Sequence, residues 1–212
     1  MAAETKDRIL DAAERLFADH GFPATSLRDI TTAADVNLAA VNYHFGSKEA
    51  LLIAVLERTT IPVNRNRLKR LDQLEAAAAG NPVEPEQLVR AFLTPLFEQQ
   101  SNWTERNFSW LKLMGRIHTE VDQELRAKLI EQYDTVRRRF SAALRHSLPQ
   151  LEQTEMIWRV LFTIGSMSFT MTWGPSILVT DERAQRAPME MLEELIRFTA
   201  AGMAAPTGKS SK

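Results

Sequence analysis

Apolar residues recur at helical spacing from one end of the chain to the other, and no stretch alternates in the manner of a strand. Ile9, Ala13, Leu16 and Phe17 line a first helix that Thr5 can cap and Gly21 ends. Two short helices follow. Ser26 caps one, with Asp29 three residues on and Leu27, Ile30 and Ala34 as its stripe; Asn37 caps the next, which buries Leu38, Val41 and Phe45 and stops at Gly46. Asp35-Val36 forms the turn between them. Ser47 opens a fourth helix with Leu51, Leu52, Val55 and Leu56 inside and a kink expected at Pro62.

Beyond the Gly80-Asn81-Pro82 loop the pattern stays helical. A helix kinked at Pro95 carries Leu88, Phe92, Leu96 and Phe97, and another carries Phe108, Leu111, Met114 and Ile117. The spacing then predicts one long helix over 121–148 on Leu125, Leu129, Tyr133, Val136, Phe140 and Leu144. A helix capped by Thr154 is expected to end near Thr172, before a loop at Gly174-Pro175, and a last one begins near Pro188. The architecture is all-α: a helix-turn-helix head at 1–46, a helical body at 47–204 and a disordered tail at 205–212. The charge runs Arg65, Arg67, Lys69, Arg70 and Arg137-Arg138-Arg139 read as solvated faces.

The helix after Asn37 has an unusual outer face of Ala39, Ala40, Asn42, Tyr43 and His44, with no Lys, Glu or Asp before Lys48. Two alanines allow close approach to another surface, an asparagine can pair two-fold with adenine, and an alanine methyl suits a thymine methyl. Such a face suits a recognition helix in a DNA major groove. The run Ala40-Val41-Asn42-Tyr43-His44-Phe45-Gly46-Ser47-Lys48-Glu49-Ala50-Leu51 resembles the end of the helix-turn-helix domain of TetR-type repressors, and the likeness spans residues 6–56. Asp35 departs from it, standing where the family usually has glycine. The DNA-contacting set is then Thr25, Ser26, Arg28, Asn37, Leu38, Ala39, Ala40, Asn42, Tyr43, His44 and Lys48. His44 is expected on phosphate.

Composition tempers this. The net charge is −1, and the first sixty residues hold six Lys/Arg against nine Asp/Glu, a net of −3. The basic footprint usual for a DNA binder is missing, so binding must rest on where each group is placed. No cysteine is present, which excludes thiol chemistry and disulfides. No signal-peptide core or bilayer-length apolar run is found, and a cytoplasmic protein is expected. An enzyme is disfavoured: the chain has no nucleophile elbow, no glycine-rich phosphate loop and no Glu-x-x-His pair. No metal-ligand spacing is found, and no cofactor is expected.

The middle of the body is rich in Met, Phe and Trp. Most such residues pack cores, but they also line adaptable apolar sites. The candidate effector-binding set is Phe92, Leu96, Trp103, Phe108, Leu111, Met114, His118, Phe162, Met167 and Met171. Trp158-Arg159-Val160-Leu161-Phe162, Ile164-Gly165 and Phe169-Thr170-Met171 are similar to the fatty-acid-responsive, PsrA-like branch, which implies an acyl chain or acyl thioester as effector. The resemblance also implies a homodimer through helices at about 154–173 and 188–204, where Gly165, Ser166 and Ser168 permit close packing. The reading is a repressor released from a palindromic operator by a small apolar effector. The alternative is a helical lipid-binding or interaction protein without DNA function.

Overall fold

The computed structural model describes residues 2–99, 113, 121–178 and 188–207. Among these no strand occurs. The helices are α1 (Ala2–His20), α2 (Leu27–Ala34), α3 (Leu38–Phe45), α4 (Lys48–Ala78), α5 (Pro85–Gln99), α6 (Gln123–Glu131), α7 (Asp134–Ser147), α8 (Gln153–Leu178) and α9 (Pro188–Met203). The chain packs as two compact units, Met1–Pro62 with Asn102–Gln132 and Val63–Ser101 with Tyr133–Lys212. The sequence-based boundary at 46 falls inside the first unit. The division instead follows Pro62, inside α4.

In the first unit Ile9, Ala13 and Phe17 of α1 meet Ile30 of α2, Val41 of α3 and Leu51, Leu52 and Val55 of α4 in one buried cluster. Each large side chain removed from water there contributes about 1.5–3 kcal/mol. Gly21, at φ +87°, ends α1 by donating its N–H to the Phe17 carbonyl (3.0 Å), and Phe22 folds back to 5.5 Å from the Phe17 ring. Leu113, Val121, Leu125 and Leu129 complete the same cluster. Arg58 of α4 pairs with Asp11 (2.6 Å) and with the buried Glu14 of α1.

The single helix expected over 121–148 is two. α6 ends at Glu131 with Gln132 as its cap, and α7 starts after Tyr133, whose backbone sits at φ −95°, ψ −2°. The stripe itself is continuous; its two halves serve different cores. Leu125 and Leu129 join the first unit's cluster, while Val136, Phe140, Ala143 and Leu144 are buried in the second unit.

In the second unit α5 is buried on most sides and packs against α7 and α9. Leu192, Leu195, Ile196 and Met203 give α9 its inner face. Arg159 of α8 is buried and caps α9: it donates to the Met203 carbonyl (2.6 Å) and the Pro206 carbonyl (3.3 Å) while pairing with Glu155 (2.5 Å). The start of the expected disordered tail is therefore held, and 208–212 lie outside the described residues. α8 also runs on through Gly174-Pro175, where a loop was expected. One proline removes a single donor, which a long helix can absorb as a local bend. Nor do both charge runs face water. Arg137 and Arg138 are exposed beside Asp134, but Arg139 reaches Asp72 (2.6 Å) and Glu75 (2.8 Å), and Arg67 is buried.

Candidate nucleic-acid interface

Local hydrogen bonds fix the entry of α2 and α3. Ser26 Oγ accepts the Asp29 N–H (3.2 Å), and Asp29 Oδ2 accepts the Ser26 N–H (2.9 Å) and hydroxyl (2.7 Å). The Ser26 hydroxyl, then its N–H, hold the Asp29 carboxyl below its ordinary range. Asn37 Oδ1 accepts the Ala40 N–H at 2.8 Å and starts α3. Gly46, at φ +77°, closes it with an N–H to the Asn42 carbonyl.

Asp35 ends α2 in the left-handed region, at φ 51°, ψ 54°. The side chain that secures this turn comes from α1: Arg8 Nη2 donates to the Asp35 carbonyl at 2.5 Å. Nothing local in the sequence links residues 27 apart, so Arg8 escaped the sequence reading. The backbone bond survives a change of side chain. Asp35→Gly is accordingly expected to stabilise the chain by about 1 kcal/mol, and Asp35→Val, β-branched, to destabilise it. Thermal melts of both variants check this; no difference between them would remove the strain argument.

Val41 is buried and anchors α3, while Leu38, expected inside, is exposed. Ser26, Arg28, Asn37, Leu38, Ala39, Asn42 and Tyr43 lie at the surface, with Ala40 and His44 half-buried. Tyr43 stands out at 85% exposure, its ring 5.2 Å from His44 in an edge-on contact. Two candidates turn inward. Thr25 is buried, and its hydroxyl donates to the carbonyls of Gly21 (2.8 Å) and Leu16 (3.2 Å), so it pins the segment before α2. Lys48 donates to the Thr25 carbonyl at 2.7 Å, with its ammonium 4.4 Å from the Phe22 ring centre. Burial lowers the Lys48 pKa, against a raising effect of Glu49. In this conformation Lys48 clamps the frame rather than reaching outward.

The effector candidates divide. Leu96 and Met171 are buried, Met167 is half-buried, and Phe92 meets Phe140 edge-on at 5.3 Å. Phe162 is 65% exposed and stacks on Trp158 (6.0 Å), one turn along the outward face of α8. Trp103, Phe108, Leu111, Met114 and His118 lie outside the described residues. Among the described residues no group of three or more His, Asp or Glu side chains could hold a metal, and no helix is long and apolar enough to cross a membrane.

Residues 9–55 match the bacterial regulatory proteins of the tetR family, and residues 90–202 match the tetracyclin repressor-like C-terminal domain. The chain belongs to the TetR family. Among curated TetR-family relatives it is 31% identical over 128 residues to the transcriptional repressor NicS of Pseudomonas putida, covering 59% of this chain and 57% of NicS. It is 29% identical over 153 residues to the transcriptional regulator AcrR of Shigella flexneri, covering 69% and 66%. The match thus spans somewhat over half the length of NicS. In fold it is similar to FadR of Bacillus subtilis, solved in complex with stearoyl-CoA, with a TM-score of 0.61 at 14% identity over 92% of this chain and 98% of that one. The family and these relatives are transcriptional regulators, not enzymes.

Proposed function

We propose that this TetR-family chain is a sequence-specific DNA-binding repressor that acts as a homodimer in the cytoplasm and leaves its operator when a small apolar effector binds. One observation carries the DNA reading: α3 presents a face without formal charge, Ala39, Ala40, Asn42 and Tyr43, on a frame started by the Ser26 and Asn37 side-chain caps and closed by the Gly46 backbone N–H. Asn42 reads a base edge, the alanines allow close approach, and Ser26, Arg28, Tyr43 and His44 meet phosphates. Lys48 joins them once it releases the Thr25 carbonyl.

Dimerisation is supported by the outward faces of α8 and α9. Ile157, Trp158, Leu161, Phe162 and Phe169 form an exposed apolar stripe on α8, with Gly165 exposed within it, and α9 adds Phe198 at 70% exposure and Gly202. A second copy of the same stripe covers this surface, and two recognition helices read a palindrome.

For the effector, the resemblance of 158–171 to the fatty-acid-responsive branch supports an acyl chain, and so does the likeness in fold to FadR, which was solved in complex with stearoyl-CoA. Release is a population shift in which ligand and operator favour different states. Titrating labelled upstream DNA with and without dodecanoate or its CoA ester tests the coupling. Ligand is expected to weaken operator binding, and operator to weaken ligand binding, by the same factor. Equal ligand affinities for free and DNA-bound protein reject it.

A further inference from the structure

We propose that Arg67 receives the head group of the effector, and that this effector is an amphipathic anion: a free carboxylate on an apolar chain. The inference rests on the effector reading above and narrows its chemistry.

Arg67 belongs to a run whose other members behave as a surface. Arg65 and Lys69 are exposed, and Arg70 pairs with Glu98 at 2.6 Å. Arg67 itself is only 3% exposed. Its Nε donates to the Phe92 carbonyl (2.7 Å) and Nη1 to Asn64 Oδ1 (3.1 Å), and its guanidinium carbon stands 4.0 Å from the Phe92 ring centre. These partners are neutral. Arg70, Arg90, Arg139 and Arg159 of the same unit each meet a carboxylate; among the described residues none lies within ion-pair distance of Arg67.

The charge is nevertheless present. Burial draws the Arg67 pKa down to about 10, which leaves it protonated at neutral pH. Tyr133, the acidic group that acts on it, is no hidden counter-ion, since burial raises its pKa and keeps the phenol neutral. A guanidinium held in an apolar interior costs several kcal/mol unless an anion matches it. The Phe92 ring and two neutral oxygens offset only part of that. Methionine or leucine would pack the position at lower cost. A cation kept there is suited to accept a carboxylate, which its planar fork binds through two parallel hydrogen bonds, beside the aromatic pair Phe92–Phe140 for the start of the chain.

The test is calorimetry on the full-length protein with dodecanoate, methyl dodecanoate and dodecanoyl-CoA. The unmodified chain is expected to bind the acid at least about 30-fold more tightly than the methyl ester, the range of a charge-assisted hydrogen bond. Arg67→Met is expected to bring acid and ester to equal affinity without weakening the ester, and Arg67→Lys to restore part of the difference. If the unmodified chain binds acid and ester equally, or the CoA ester but not the acid, the effector reading stands and the role of Arg67 falls. If Arg67→Met weakens acid and ester alike, Arg67 is a packing element between α4 and α5. Binding of none of the three removes the acyl effector, and this inference with it.

Discussion

Replacing Asn42 and Tyr43 together by alanine is expected to abolish preference for the operator while leaving the fold, the dimer and effector binding intact. Both side chains are exposed on α3, and neither belongs to the cluster of Ile9, Phe17, Ile30 and Val41 that holds the head. Alanine keeps the helix and leaves the Asn37 cap and the Gly46 stop in place. A two-fold asparagine–adenine pair discriminates by about 1–3 kcal/mol, and a symmetric dimer loses it twice. With the tyrosine contact gone as well, specific binding is expected to fall at least a hundred-fold, to the level of random duplex. Fluorescence anisotropy with upstream DNA against a scrambled duplex measures this. Undiminished preference in the double variant would remove α3 from the interface. Because the first sixty residues carry a net charge of −3, residual non-specific binding should also be weak.

The second large effect is on assembly. Trp158→Glu with Phe162→Glu is expected to convert the dimer to monomers at micromolar concentration. The two rings stack on the solvent side of α8. Burying each contributes about 1.5–3 kcal/mol, whereas a carboxylate confined at an apolar contact costs several kcal/mol, and symmetry applies both terms twice. Neither ring is part of the buried interior of the second unit, so the protomer should stay folded. Analytical ultracentrifugation gives the mass. DNA affinity is expected to drop by the linkage factor, about 10²–10⁴, as each head then binds alone. A dimer of unchanged stability would mean that another surface joins the copies.

What the sequence discloses follows how local each interaction is. The caps Ser26, Asn37 and Gly46, the turn at Asp35-Val36 and the Phe17–Phe22 contact join residues a few positions apart, and all were legible as spacing. The inward turn of Thr25 and Lys48 was not, because their partners come from another helix or the loop before it. Arg8 and Asp35 pose the same difficulty at greater range. The break at Gln132-Tyr133 was hidden for a different reason. Periodicity tells which residues of a helix are buried, not which core they enter, so Leu125 and Phe140 fall on one stripe yet serve two units. Arg67 was misread because composition treats a basic run as a single object, whereas one member in a turn of helix can point inward. Phe162 poses the converse difficulty: an aromatic at helical spacing marks an apolar face without saying whether that face meets the protein's own interior or a partner.

The sharing of Leu113, Val121, Leu125 and Leu129 with the first three helices bears on how this protein can be dissected. A fragment cut at Pro62 would carry every residue proposed to touch DNA and still lack four members of the buried cluster that holds it. Such a fragment should be sticky and only partly structured, and a chimera that grafts it onto a foreign partner would inherit that defect. The transplantable piece is discontinuous in sequence, and the segment 113–132 has to travel with it.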